Sequence, residues 1–244
     1  MSNLKALGAN NEYVQQVKDY GKTDALLSVI LYCILLLMSV VMGKIFIHKQ
    51  SELTDIYIFC ATGIFSIICT GLVISFCLIR KQRLNTVGFS KKNAGKSFII
   101  GLILIFIVFL LWGIRPIISG ISIKADITFI AMKVIHYLIF IAFTEELIFR
   151  GYIGTRIYGY FRNKYLAIIV VGIMFTLSHV PLQMIVSRTS LPEFISANIS
   201  NLINIFIHHL LSQWLFSKYN SIIAPTLLHF IEDFISGFLL NGTV

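Results

Sequence analysis

The stretch ITFIAMKVIHYLIFIAFTEELIFRGYIGTRIY, residues 127–158, decides how the chain is read. Its apolar character persists well beyond the roughly 20 residues that a helix needs to cross the hydrocarbon core of a bilayer. Near its middle it nevertheless holds two adjacent glutamates, Glu145 and Glu146, and an arginine, Arg150. Six more apolar runs of spanning length accompany it: Ala25 to Gly43, Ile56 to Ile79, Ser97 to Ile114, Leu166 to Met184, Phe194 to Ser217 and Ser221 to Leu240. The connections are short, and no internal repeat or Pro-rich linker divides them. The expectation is an all-α, polytopic transmembrane helical bundle of about seven spans, eight at most. It forms one membrane domain over residues 25–240, behind a mostly polar cytoplasmic segment at 1–24, and the first run, Ala25 to Gly43, is too long for the apolar region of a cleavable signal.

Composition supports this. Of 244 residues, 57% are hydrophobic and only 13% charged, about half the charge of a soluble domain. A polar shell cannot be built from so few charged residues, which excludes an ordinary soluble enzyme and a disordered regulator. Cys33, Cys60, Cys69 and Cys77 all fall inside apolar runs without CxxC spacing, so they read as small packing residues rather than disulfide or zinc ligands. The net charge is +9. Threading seven spans puts 14 of the 20 Lys and Arg on the side of the amino terminus and 5 on the other, with Lys133 inside the fourth span. Lys5 counts among the former and Lys124 among the latter. The positive-inside rule then makes the amino terminus cytoplasmic. The basic stretch Arg80 to Lys96 lacks interleaved aromatics, so it reads as a loop against anionic headgroups and not as a nucleic-acid site.

Ionisable groups at membrane depth cost about 2.5–3.5 kcal/mol each on insertion scales and mark function by default. Four acids (Glu145, Glu146, Glu232, Asp233) and five histidines (His136, His179, His208, His209, His229) lie within the apolar runs. Adjacent helical residues point about 100° apart, so Glu145 and Glu146 take different roles. Arg150 is four residues beyond Glu146, the favourable spacing for an ion pair on one face. Glu146 is therefore neutralised structurally, and Glu145 is left to face a cavity as a base. In FTLSHVP, Phe175 and His179 share a helix face; in PTLLHFIEDF, His229 and Asp233 do. At 1.5 Å rise per residue, Glu145 lies about 20 Å from Tyr158, His179 about 20 Å from Leu166 and His229 about 13 Å from Ser221. A carboxylate and two imidazoles at comparable depth are equipment for activating a water against a carbonyl and stabilising the oxyanion.

EExxxR, FxxxH and HxxxD, in that order on successive helices, resemble the CPBP family of intramembrane proteases, also called Abi, which includes type II CAAX prenyl endopeptidases and bacteriocin-processing proteins. The resemblance covers about Thr144 to Phe234 and puts the catalytic part at about 127–240. It implies that Glu145 activates the hydrolytic water, supported by Glu146 and Arg150. It implies that His179, on the motif with Phe175, assists that water, and that His229 and Asp233 build the oxyanion site. An ionised Asp233 cannot donate to an oxyanion, so it orients His229 or stays protonated. Where the family has small residues, this chain has His208 and His209, which read as an interhelical hydrogen-bonding or interfacial pair.

The resulting expectation is a membrane-embedded hydrolase, opening to the cytoplasm of a bacterial cell membrane. Its partners are the lipid bilayer and membrane-anchored or amphipathic peptide substrates, such as pheromone or bacteriocin precursors. Glu145, His179 and His229 could also serve as three ligands of a catalytic zinc, although there is no HExxH; the alternative is no cofactor. Two competing readings are a proton-coupled transporter, since embedded Glu and His also form proton relays, and a non-catalytic immunity protein of the same fold.

Overall fold

The computed structural model describes residues 8–119 and 126–239, the Ser51 side chain excepted. Lys5, Lys124 and Leu240 lie outside the described residues. Among those described, the secondary structure is entirely helical. A short amphipathic helix α1 (Asn11–Gln16) precedes α2 (Lys22–His48), α3 (Asp55–Ile79), α4 (Ala94–Ile118), α5 (Ile127–Tyr160), α6 (Lys164–Ser187) and α7 (Leu191–Tyr219). The last helix, α8, is α-helical over Ile223–Phe234 and π-helical over Ile235–Leu239.

Helices α2 to α7 are long and apolar enough to cross a membrane, which makes six candidates where the sequence suggests seven. The difference lies in α8. Its 17 described residues, 12 and 5 in its two parts, reach about 25 Å at an α-helical rise, and π-helical turns rise less. Polar side chains start and stop these helices. Thr54, Asp126 and Asn163 each accept backbone N–H bonds at an N-terminus, and Ser190 with Glu193 forms a capping box before α7. Arg188 (φ 56°) and Asn220 (φ 48°) close α6 and α7 in the left-handed region, where a chain can turn back sharply.

The chain alternates direction, so the bundle has two ends. The first carries residues 8–21, 80–93, 161–163 and 220–222. Backbone and side-chain contacts tie these together: Asn10 N donates to Ser217 O, Gln16 Nε2 to Thr86 O and Ile222 N to Gly88 O. The second end carries residues 49–54 and 188–190, joined by Arg188 to Gln50. Near that end, the embedded Lys133 pairs with Asp55 at the start of α3. Large apolar side chains such as Leu37, Ile67, Ile79, Phe106 and Ile118 stand exposed around the flanks, which is where lipid would cover them.

The interior is built on α5. Every residue from Glu146 to Tyr158 is buried, and the main core gathers Leu147, Phe149, Tyr152, Ile153 and Ile157 with Leu31 and Leu35 of α2, Val73 of α3 and Phe175 of α6. Helix α8 packs along α4 and against the first half of α5. Arg156 is fully buried at the first end, with Tyr20 and Tyr152 rings at 4.5 and 4.4 Å from its guanidinium carbon, and it donates to Thr86 O and Gln82 Oε1. It thereby anchors the amino-terminal segment and the 84–87 turn onto α5.

Candidate active site

Helix α5 changes pitch at the point where its two glutamates lie. Two π-helical stretches, His136–Phe143 and Leu147–Gly154, bracket the single α turn Thr144–Glu146. π turns bond i to i+5 and so wind more widely than α turns, and they recur at functional sites. Here they hold Glu145 and Glu146 on divergent faces. Glu146 and Arg150 are both completely buried, with Arg150 Nη1 at 3.0 Å from Glu146 Oε1. The guanidinium carbon lies 4.1 Å from the centre of the Phe175 ring, a cation–π contact worth about 2 kcal/mol when desolvated.

Glu145 remains 29% exposed. It lines a cavity of about 180 Å³ between α2, α3, α5 and α6, together with Ser39, Thr62, Thr144 and Ser178. Its Oε2 is buried and makes no hydrogen bond. It faces His179 Nε2 at 3.6 Å and His229 Nε2 at 3.8 Å.

Helix α6 breaks at His179. Pro181 follows two residues later and cannot donate the helical bond to Leu177, so the helix restarts at Val180. At the break, His179 Nδ1 donates to Phe175 O at 2.9 Å, which fixes the tautomer and aims Nε2 at Glu145. The motif's aromatic residue is the common wall. Phe175 meets His179 edge-on at 4.9 Å, stacks on His208 at 6.2 Å, and contacts His229 at 6.2 Å.

His229 Nδ1 donates to Glu146 Oε1 at 3.0 Å, while its Nε2 faces Asp233 Oδ2 at 3.4 Å and Glu145. Glu146 thus does more than meet Arg150: it also orients His229. All seven residues selected from the sequence, Glu145, Glu146, Arg150, Phe175, His179, His229 and Asp233, converge on one place.

Two more join them. His208, expected with His209 as an interhelical hydrogen-bonding or interfacial pair, lies with its ring 4.6 Å from that of His229. It donates from Nδ1 to Glu232 Oε2 at 2.6 Å and has Nε2 at 3.0 Å from Ser212 Oγ and 3.6 Å from Glu146 Oε1. A signal for it existed: Asn201, Asn204, His208 and Ser212 recur at helical spacing and form a polar stripe in an apolar span. His209, by contrast, is fully buried beside Phe175 and Gly172, with neither ring nitrogen hydrogen-bonded to a described residue.

His208, His229, Glu232 and Asp233 line a second, larger cavity of about 800 Å³. From the centre of the bundle its walls run to Arg115, Pro116 and Ser119 of α4 and Gln183 of α6, toward the second end. The sequence reading has the site open on the side of the amino terminus, and the cavity corrects this. Depth along a helix says how far a residue lies from an end, not which end is sealed. At the first end, the 84–88 turn packs on Phe216 and Ile222.

The sequence names Glu145, His179 and His229 as metal candidates. Among the described residues, the group whose donor atoms all lie within 4.8 Å of one another is instead Glu146, His208 and His229. Distance alone would let this buried cluster hold a metal ion. Its carboxylate oxygen, however, already sits 3.0 Å from the Arg150 guanidinium, which supplies the positive charge a metal would bring and repels a second cation. The cluster does not fit a metal.

Over residues 126–235 the chain matches the family model described as Type II CAAX prenyl endopeptidase Rce1-like. The motifs and the match point the same way. No curated protein and no solved structure matches the chain. The Rce1-like region covers α5 to α8 up to Ile235. It holds every residue of the site, and the family supports an intramembrane endopeptidase of the CAAX type in general.

Proposed function

We propose that the chain hydrolyses peptide bonds of membrane-anchored or amphipathic peptides, with Glu145 as the base that activates the water. The observation carrying this is Glu145 Oε2, buried without a hydrogen bond between two imidazole nitrogens at 3.6 and 3.8 Å. A water bound to that oxygen has His179 and His229 as its next neighbours. Glu145 takes its proton, the hydroxide attacks the scissile carbonyl, and His229, whose two nitrogens face the carboxylates of Glu146, Glu145 and Asp233, stabilises the oxyanion as an imidazolium. Asp233 holds His229 in register from the next helical turn. Glu146 and Arg150 form the fixed ion pair on which His229 hangs. The larger cavity is wide enough for several residues of an extended peptide, and its wall of Asn201, Asn204 and Gln183 offers amide partners to a peptide backbone. Precursors of secreted peptides, such as pheromones or bacteriocins, are amphipathic or membrane-anchored substrates of this class.

The test is Glu145→Gln in a cleavage assay with purified protein in lipid or detergent. Glutamine keeps the shape and removes the base, so turnover falls by about 10²–10⁴-fold, the usual contribution of general-base catalysis. Undiminished cleavage refutes the assignment.

A further inference from the structure

Peptide hydrolysis needs two proton transfers. One takes a proton from the water, and the other gives a proton to the departing amine, which is too basic to leave as an anion. Glu145 faces the smaller cavity and serves the first. Three candidates for the second are committed elsewhere: Glu146 to Arg150, His179 Nδ1 to Phe175 O, and His229 to Glu146 and Asp233.

The pair left over lies on the other side of the site. His208 Nδ1 and Glu232 Oε2 are 2.6 Å apart, a short, charge-assisted contact. Both residues line the larger cavity, and the Glu232 side chain is 35% exposed. His208 Nε2 is supported from behind by Ser212 Oγ and Glu146 Oε1. The ring therefore can carry a proton on each nitrogen with an acceptor facing both. His179 and Gln183 line both cavities, so the two cavities adjoin across them, with Glu145 on the side of the smaller and Glu232 on the side of the larger.

We infer that His208 and Glu232 form a second histidine–carboxylate dyad that protonates the leaving amine, an assignment that rests on the proposed hydrolysis. Water's O–H breaks as its oxygen bonds the carbonyl carbon, and the proton goes to Glu145. The C–N bond then breaks as the nitrogen takes a proton that passes from His208 Nδ1 through the Glu232 carboxyl, leaving His208 a neutral ring with its remaining proton on Nε2. After product release, the proton on Glu145 returns to the dyad through solvent, since both cavities are open. Hydrolysis is thus balanced, with every group restored.

The experiment compares bonds that differ only in the leaving group. An internally quenched peptide, chosen as the one the wild-type protein cleaves fastest from a mixed pool, is paired with its depsipeptide, which carries an ester at the scissile position. An alkoxide departs with far less need of a proton than an amide nitrogen does. Glu232→Gln and His208→Gln should each lower kcat/KM for the peptide by about 10²-fold or more, and for the ester by less than about threefold. Equal losses on both substrates, or no loss on the peptide, overturn the dyad. Glu145→Gln should lose activity on both substrates, so failure of the base assignment shows separately. Should His208→Gln fold poorly, Glu232→Gln alone decides, because its side chain is partly exposed and its substitution leaves the ring in place.

Discussion

Arg150→Met isolates the ion pair that supports the site. The side chain is completely buried, 3.0 Å from the equally buried Glu146. Methionine keeps most of the apolar stem but leaves the carboxylate without its fixed countercharge. At an effective dielectric of 20, two unit charges at that distance attract by about 5 kcal/mol, and removing one member of a buried pair typically costs about 3–5 kcal/mol. The lost contact with Phe175, at 4.1 Å, adds up to about 2 kcal/mol. His208 and His229 face the same carboxylate and can carry part of the missing charge, which brings the expected loss to about 4 kcal/mol. For a chain of this size, that lowers Tm by about 8–16 °C. The buried free thiols of Cys69 and Cys77 give the assay: a thiol-reactive dye reports unfolding of the solubilised protein as they become accessible, above a baseline from Cys33 and Cys60. Glu146→Gln added to Arg150→Met removes the stranded charge and should restore about half of the loss. A Tm within 3 °C of wild type for the single variant, or a double variant no more stable than the single, refutes the reasoning.

Two further outcomes follow from the same geometry. In Gly151→Ala, the added Cβ would stand 2.7 Å from Val87 O, a backbone atom that cannot turn aside, so the 84–87 turn must shift; stability should fall by about 1–3 kcal/mol, read by the same thiol assay, and an unchanged Tm contradicts the close approach. Because Arg150 occupies the charge position beside Glu146, cleavage should change by less than about twofold in excess EDTA or phenanthroline; a loss restored by added zinc would establish a metal centre instead.

Much of the site was legible before any coordinates. Glu146 with Arg150, Phe175 with His179 and His229 with Asp233 each stand four residues apart, and local helical spacing is enough to put each pair on one face. Their position inside apolar runs was equally plain, because charge in a membrane span needs a reason. The pairs that the sequence could not show are those that join different helices. His208 meets Glu232 across 24 residues, and His229 meets Glu146 across 83. No periodicity links such positions, so His208 read as an interhelical hydrogen-bonding residue with no partner named, and Glu146 as no more than the partner of Arg150.

What the sequence by itself determined is the class of molecule: helical, membrane-spanning, with acids and imidazoles at similar depth. Hydrophobicity and helix period act locally along the chain, so they are written in it. Tertiary structure alone decided which cavity each group faces and which end of the bundle that cavity reaches. It also decided that His208 and His229 share the carboxylate that Arg150 balances. Those outcomes depend on how seven helices rotate and stack, and such packing is settled by contacts between residues far apart in the chain.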